Sequence, residues 1–229
     1  MGAMAGRGAR ILALAPALLV VLATAPAVPA GGGQEQTHLT AAGQAAARAA
    51  VMTRDDLTAP EGWTGGTQKP NLSPAAPCAG FDPKQSDLVR IGVAQSIFTD
   101  STGISFDSEA EVLRSATMLK KDWQRTVLAP QVPGCLRQRM IKRIRASKRT
   151  LVAFGRVPFP HVTPRTAAYR VIYVDGAGKA SIRRFTDLVF IGTARTEIFV
   201  GTTAPLSQAS FVFPAEVRLA RRLVGRSRA

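Results

Sequence analysis

The sequence has few of the side chains from which metal and redox sites are built. Its 229 residues include two cysteines, Cys78 and Cys135, and two histidines, His38 and His161. Neither histidine has a second histidine or a cysteine at the spacing that zinc ligation requires. The sequence therefore predicts no metal site and no bound cofactor.

Catalytic signatures are missing as well. The chain contains no G-x-S-x-G turn, no phosphate-binding loop, no dinucleotide-binding glycine pattern after a strand, no H-E-x-x-H sequence and no calcium loop. His161 lies in a proline-bounded loop, and no serine or cysteine stands at a motif spacing from it. We therefore expect a protein that is not an enzyme. The alternative is an extracytoplasmic hydrolase with an unrecognised site among Asp107, Glu109, Glu111 and His161.

Long apolar runs are confined to the start of the chain. Arg7 and Arg10 precede an apolar stretch that ends at Ala25, and Val28-Pro29-Ala30 stands before three glycines. A basic start, an apolar centre and small residues before the exit are typical of a secretory signal peptide. The apolar stretch is about 15 residues long, which is short of the roughly 20 that a membrane-spanning helix needs.

We therefore predict a signal peptide in residues 1–30 and a single secreted domain in residues 31–229, with no membrane span after cleavage. An uncleaved membrane anchor is the alternative. Export also decides how the cysteines are interpreted, because paired cysteines form disulfides in oxidising compartments. We predict the bond Cys78–Cys135. Residues 64–86 around Cys78 carry four prolines and three glycines, so we expect an irregular segment within the domain.

Acidic residues are scarce in the second half of the chain. Residues 31–114 hold 10 acidic and 6 basic side chains, and residues 115–229 hold 5 acidic and 22 basic ones. A positive field of this kind attracts anionic lipid head groups and wall polymers. The densest basic run, which contains no acid, comprises Arg137, Arg139, Lys142, Arg143, Arg145, Lys148 and Arg149, and a second set comprises Arg218, Arg221, Arg222, Arg226 and Arg228.

Aromatic residues are not interleaved with the first basic run, as they are in surfaces on which nucleic-acid bases stack. We therefore predict no nucleic-acid partner. The run is interpreted first as ordinary solvated side chains, and contact of these seven residues with an anionic polymer is the alternative.

Apolar periodicity predicts strands and helices in an α+β order. Alternation predicts strands at 88–99 and 104–114 and four further strands at 150–157, 166–174, 181–191 and 196–202. A helical period predicts helices at 39–54 with Thr40 as its cap, at 115–128 with Ser115 as its cap, at 135–144, and near the C-terminus with Pro214 in its first turn. The predicted fold is an antiparallel β-sheet with helices packed on it and one disulfide.

The predicted strand at 104–114 places two carboxylates on one face of the sheet. Glu109 and Glu111 alternate there with Ala110 and Val112. Paired carboxylates can do acid and base chemistry. We expect these two to lie on a solvated face.

The order of these features resembles small secreted envelope proteins of actinobacteria. An alanine-rich helix, Asp56-Leu57 with Gly62-Trp63, Cys78 before a strand, the helix from Ser115, then Cys135 and closing hairpins with a basic helix are similar in layout to PsbP-like lipoproteins. The layout also resembles the extracellular sensor domain of receptor Ser/Thr kinases. The resemblance covers residues 39–225 and implies non-catalytic binding of an envelope component or partner protein, with no catalytic residues to assign.

Overall fold

The structure is a computed structural model that describes residues 33–73, 77–176, 178 and 181–228. The predicted signal peptide at 1–30 lies outside the described residues. The strands are β1 (Gln36–Thr37), β2 (Trp63–Gln68), β3 (Val89–Asp100), β4 (Ser105–Leu113), β5 (Thr150–Arg156), β6 (Arg165–Asp175), β7 (Ile182–Thr193) and β8 (Thr196–Pro205). The helices are α1 (Ala41–Ala49), α2 (Ala116–Asp122), α3 (Val132–Ala146) and α4 (Ala209–Arg228).

The strands form one sheet in the order β1-β3-β4-β8-β7-β6-β5, and β2 also pairs with β3. All of the pairings are antiparallel except the short one between β1 and β3. Cys78 and Cys135 form a disulfide with their Cα atoms 5.4 Å apart. The predicted fold class, a largely antiparallel sheet with packed helices and one disulfide, is confirmed.

Helices cover both faces of the sheet. Alternation along β4 sends Phe106 and Ala110 into the main core beneath α1 and α4, and we name this side the α4 face. The opposite side, beneath α2 and α3, is the α3 face, and its core centres on Tyr169 and Val171. On α4, the side chains of Val217, Ala220, Leu223 and Val224 are all buried.

Both predicted helix caps are present. The Oγ1 atom of Thr40 accepts a hydrogen bond from the backbone N–H of Gly43 at 3.0 Å. The Oγ atom of Ser115 accepts one from the N–H of Met118 at 3.2 Å. Each hydroxyl satisfies an N–H that has no partner within its helix.

Helix ends differ from the predicted bounds for local reasons. α1 ends at Ala49 rather than residue 54, because the Asp56 carboxylate accepts from the N–H of Thr53 and begins a separate 3₁₀ turn. The predicted helix at 115–128 divides into α2 and a π-helical turn at Trp123–Val127. α3 begins at Val132, three residues before the predicted start, with Pro133 in its first turn.

Pro214 lies inside α4 rather than in its first turn, so that prediction is wrong. A 3₁₀ turn at Leu206–Gln208 leads directly into α4 and starts the helix at Ala209. Proline lacks an N–H and therefore cannot make the hydrogen bond back to the carbonyl four residues earlier. Burial of Val217, Leu219 and Leu223 against the sheet compensates for this lost bond.

The predicted irregular segment at 64–86 is wrong in its first five residues, because β2 occupies Trp63–Gln68 and pairs with the end of β3. The Thr-Gly-Gly-Thr sequence at 64–67 has little apolar alternation, and the sequence pattern therefore predicts a loop there. Gly65 has a φ of +121°, and a Cβ there would lie 2.1 Å from the carbonyl oxygen of Ile97. Glycine is therefore what lets this edge strand approach β3.

The backbones of α1 and β3 are in contact. A Cβ on Gly92 would lie 2.0 Å from the carbonyl oxygen of Gly43, and a Cβ on Gly43 would lie 2.2 Å from that of Ile91. The side chain of Gln44 also accepts from the N–H of Val93 at 2.8 Å. Two glycines thus allow α1 to lie directly on the strand.

We expect Gly92→Ala to lower the free energy of unfolding by about 3 kcal/mol, because the added methyl group must push backbone against backbone. Urea denaturation measures the change. Gly155→Ala is the matched control, since a Cβ on this strand glycine meets no atom within 4 Å, and its effect should stay within about 0.5 kcal/mol. Equal effects of the two variants would contradict the close approach of α1 to β3.

Candidate functional site

A large cavity lies on the α4 face. Its volume is about 950 Å³, and it opens between the segment 55–63, the turn from β3 to β4 and the first half of α4. We name it the α4 cleft. Its apolar walls consist of Leu57, Trp63, Ile104, Phe106, Val212, Ala215 and Leu219.

The floor of the α4 cleft is part of the protein core. Phe106 and Leu219 are each 4% exposed, and the ring of Trp63 lies 5.5 Å from that of Phe106 between centroids. The indole Nε1 of Trp63 donates to the carbonyl of Thr58 at 3.0 Å. Because its only polar atom is satisfied there, Trp63 presents an apolar surface to the cleft.

Phe211 stands at the mouth of the α4 cleft and is 78% exposed. It is the most exposed large apolar side chain in the part of the chain that the structure describes. Exposed aromatic surface beside an apolar cavity is typical of a ligand or partner site.

Charged side chains of both signs border the α4 cleft. Arg218 and Arg222 are exposed on α4, whereas the acidic lining residues are Asp55, Asp56 and Asp100. The Asp56 carboxylate receives two 2.8 Å bonds from the guanidinium of Arg226.

The Asp100 carboxylate accepts from the N–H groups of Thr102 and Ile104, each at 2.9 Å. With Asp56 paired to Arg226, the two exposed arginines share the rim with the carboxylates of Asp55 and Asp100. The rim therefore offers guanidinium groups on α4 and carboxylates on the opposite wall.

The second basic set of the sequence serves partly to hold the structure together. Arg226 is half-buried and donates to the carbonyls of Ala49 and Val51 as well as to Asp56. Arg222 donates to the carbonyl of Asp56 at 3.1 Å. These bonds tie the end of α4 to α1 and to the wall of the α4 cleft.

The paired carboxylates of β4 lie on the α3 face, but the face is not solvated, and that expectation is wrong. Glu109 and Glu111 are half-buried. With Glu197 they line a cavity of about 320 Å³ whose apolar walls include Trp123 and Phe190. The covering elements are α2 and its π-helical turn, which periodicity alone could not place above this part of the sheet.

Arg90 is the centre of a buried cluster of carboxylates. Its Nη1 donates to Glu111 Oε1 at 2.5 Å, and its Nε lies 3.7 Å from Glu35 Oε2. Asp122 accepts from the side chain of Gln85 at 3.3 Å and hydrogen-bonds with Glu197. The guanidinium of Arg90 therefore interacts with more than one carboxyl group.

Burial raises the pKa of most of these carboxyl groups. It raises the pKa of Glu35 to about 8, with a further contribution from Glu111, and that of Glu109 to about 7. Burial and the nearby Asp122 raise the pKa of Glu197 well above its usual value. Several members thus hold protons near neutral pH. Within the described part of the chain, no group of three or more His, Cys, Asp or Glu side chains has an arrangement that could hold a metal ion.

The structure does not bring the four residues of the predicted hydrolase site together. Asp107, Glu109 and Glu111 project toward the α3 face. His161 is exposed, and its neighbours Phe159 and Val162 pack into the core of the opposite face. The sheet therefore separates the histidine from the carboxylates.

The first basic run lies on α3 and the turn that follows it. Its exposed members are Arg137, Arg139, Lys142, Arg143, Arg145 and Lys148, whereas Arg149 is half-buried. The opposite side of α3 buries Val132, Cys135 and Ile144. Most of the predicted polyanion-contact residues therefore share the solvent side of one helix.

No model of a known protein family matches the chain, and no curated protein matches it either. Among solved structures, cyanobacterial PsbP (CyanoP) from Synechocystis sp. PCC 6803 is 13% identical with a TM-score of 0.36, over 70% of this chain and 80% of that one. The Ran-binding protein Mog1p of Saccharomyces cerevisiae is 16% identical with a TM-score of 0.27, over 58% of this chain and 75% of that one.

Both TM-scores are too low to carry a conclusion about this chain. The predicted resemblances to PsbP-like lipoproteins, to secreted envelope proteins of actinobacteria and to the receptor-kinase sensor domain stay predictions. Among the helices that the structure describes, none is long and apolar enough to cross a membrane.

Proposed function

We propose that this chain is a secreted, non-catalytic binding domain of the bacterial cell envelope whose ligand is an amphiphile with an anionic end. The observation that supports this most directly is the apolar α4 cleft with two exposed arginines at its rim. Ligand sites are mostly apolar cavities of roughly 300–1,000 Å³ with a few polar groups at defined positions. At about 950 Å³, the cleft has room for a ligand of substantial size.

The walls of the α4 cleft match the apolar part of such a ligand. Trp63, Phe106 and Leu219 form a continuous floor, and removal of apolar ligand surface from water onto them is favourable. Phe211 at the mouth can cover the ligand with little new ordering, since an aromatic side chain has only two rotatable bonds. The walls therefore favour an apolar body of the ligand inside the cleft.

The arginines at the rim of the α4 cleft match the anionic end of such a ligand. Arg218 and Arg222 are long, exposed cations on one side of α4, and a guanidinium binds a carboxylate, sulfonate or phosphate by paired hydrogen bonds. Asp55 and Asp100 lie on the other walls of the cleft. An amphiphile with an anionic end satisfies both the walls and the rim.

The remaining features agree with an envelope binding domain. A disulfide fits an oxidising compartment outside the cytoplasm. On the α3 face, Glu111 is paired with Arg90, and Asp122 hydrogen-bonds with Glu197. The proposal therefore assigns no catalytic residue.

The direct test uses 8-anilinonaphthalene-1-sulfonate, an amphiphile with an aromatic body and one sulfonate. We expect saturable binding with enhanced fluorescence at one site. Ala215→Trp fills the α4 cleft and should weaken binding at least tenfold. Arg218→Gln should weaken it about threefold, the effect of one exposed charge.

The matched control is Arg221→Gln, which removes the same charge from an exposed position of α4 outside the cleft lining and should leave affinity unchanged. Each variant must retain cooperative unfolding, because loosely packed states also bind this probe. Equal binding by Ala215→Trp and the unaltered protein would contradict the site. Turnover of an ester, phosphate or glycan substrate that Glu109→Gln abolishes would contradict the absence of catalysis.

A further inference from the structure

A second cavity of about 470 Å³ lies on the α3 face, between α3 and the sheet. We name it the α3 cavity. Part of its floor is a row of hydroxyl groups across three adjacent strands, because Ser105 pairs with Thr203 and Thr203 pairs with Thr186. The hydroxyls of Thr186 and Thr203 are 2.8 Å apart. Each hydroxyl can donate one hydrogen bond.

Gly201 keeps the space above this floor open. It lies in β8 between Asp107 of β4 and Leu188 of β7. A Cβ at this position would lie 3.1 Å from the ring of Phe199, which also lines the cavity. Any larger residue would occupy part of the α3 cavity.

Three guanidinium groups from different parts of the chain border the α3 cavity. Arg143 comes from α3, Arg149 from the turn after it and Arg184 from β7. Arg184 also donates to the carbonyl of Gly103, and Arg149 lies over the ring of Tyr173 at 5.3 Å.

One of these donors is buried and unused. Arg149 pairs with Asp175 at 3.0 Å through Nη2, but its Nε is buried without a hydrogen-bond partner among the described residues. A buried donor without an acceptor costs free energy, and an acceptor supplied by a ligand removes that cost.

Donors outnumber acidic acceptors around the α3 cavity. Its acidic lining residues are Asp175, which is paired with Arg149, and Asp107. Burial raises the pKa of Asp107, which reduces its repulsion of an anion. With Arg149 and Asp175 paired, the guanidinium groups of Arg143 and Arg184 and the row of hydroxyls remain opposite the carboxyl group of Asp107.

We infer that the α3 cavity binds the phosphate, or a similar oxyanion group, of a small ligand. Guanidinium groups from three elements provide charge and paired donors in fixed directions, and the hydroxyl row provides neutral donors beneath them. This site is separate from the α4 cleft. Under this proposal, Arg143 and Arg149 of the first basic run belong to a defined pocket rather than to a diffuse basic surface.

Inorganic phosphate is the probe, added to ¹⁵N-labelled protein at constant ionic strength and followed by amide chemical shifts. We expect saturable shifts at Thr186, Gly201 and Thr203. Arg143→Gln should weaken binding at least fivefold. Arg137→Gln is the matched control on the same helix, since Arg137 is exposed outside the cavity lining, and it should change affinity less than twofold. Equal losses in the two variants, or shifts that do not saturate, would overturn the pocket.

Asp107→Asn tests the class of ligand. Loss of this carboxyl group should tighten phosphate binding about threefold, whereas weaker binding would overturn the oxyanion assignment. Ala215→Trp should leave the phosphate titration unchanged, so failure of the α4 cleft proposal is distinguishable from failure here.

Two further binding experiments distinguish a soluble phosphate ester from a lipid head group as the source of the phosphate. Glycerol 3-phosphate binding that Arg143→Gln weakens assigns a soluble phosphate ester. Binding to phosphatidylglycerol vesicles that Arg143→Gln weakens and Arg137→Gln does not assigns a lipid head group. Vesicle binding that both variants weaken equally would overturn the lipid arm and indicate diffuse attraction to α3.

Discussion

Raising the pH from 5 to 9 is expected to lower the free energy of unfolding of this protein by several kcal/mol. Glu216 of α4 makes the clearest contribution. It is 0% exposed, and Thr202 donates to its Oε1 at 2.8 Å. Burial, together with the nearby Asp187, raises the pKa of Glu216 to about 8. Asp187 is itself held by two 2.6 Å bonds from Arg170, so the single cation in this network is already paired.

The sign of this change in stability follows from the protonation of the carboxyl groups in the folded and unfolded states. A carboxyl group with a raised pKa keeps its proton in the folded state after the unfolded chain has released it. Its contribution to stability is therefore complete below its unfolded pKa and is lost as the pH rises through its folded pKa. Glu35 with a pKa of about 8 and Glu109 with a pKa of about 7 act in the same window and direction.

Carboxyl groups with lowered pKa values act in another range. The pKa of Asp56 is lowered, although burial opposes this, by its hydrogen bonds with Arg226 and Thr53. Its contribution to stability is lost only as the pH falls below the ordinary range of an aspartate. It therefore does not offset the loss between pH 5 and 9.

Urea denaturation at pH 5, 7 and 9 measures the effect. Glu216→Gln mimics the protonated side chain, so we expect little change at pH 5, higher stability than the unaltered protein at pH 9, and a smaller overall slope. Each pKa unit corresponds to about 1.4 kcal/mol, which makes the Glu216 share large enough to resolve. Glu61→Gln, an exposed carboxylate, should leave the slope unchanged. A stability that stays constant or rises with pH, or a Glu216→Gln variant equally destabilised at all three values, would contradict this prediction.

Much of the fold could be predicted because local signals and tertiary packing agree. Alternating apolar residues along β3, β4 and β6 predict strands that turn one side toward a core, and the structure has strands at these positions. Thr40 and Ser115 cap helices as their sequence contexts predict. Where the signal is chemical rather than periodic, as with the two cysteines, the prediction needs no knowledge of the fold.

The candidate sites could not be predicted in the same way, because they depend on which elements meet. The α4 cleft joins a loop near Trp63 to Phe211 and Arg218 of α4, which are about 150 residues further along the chain. Glu109 and Glu111 share a face as predicted, but only the position of α2 over β4 and β8 makes that face buried. Sequence alternation fixes the side of a strand and says nothing about what covers it.

The disulfide is expected to have the second large effect. Replacement of both cysteines, in the variant Cys78→Ser with Cys135→Ser, should lower the free energy of unfolding by about 4 kcal/mol. The reason is that the unfolded chain is then no longer cross-linked between two residues that are 57 positions apart. At roughly 2–4 °C per kcal/mol for a chain of this size, the melting temperature should fall by about 8–16 °C.

The structure supports a large value because the bond joins two unequal partners. Cys135 is buried in the first turn of α3, whereas Cys78 lies in the segment between β2 and β3, where it pairs only with Phe81 in an isolated bridge. Calorimetry of the oxidised protein, the protein in reductant and the double variant gives the measurement. Reductant should lower the melting temperature of the unaltered protein and leave that of the variant unchanged. A loss below about 1 kcal/mol would mean that noncovalent contacts alone hold this segment against α3. In that case α3 would keep its position over the α3 cavity without the disulfide.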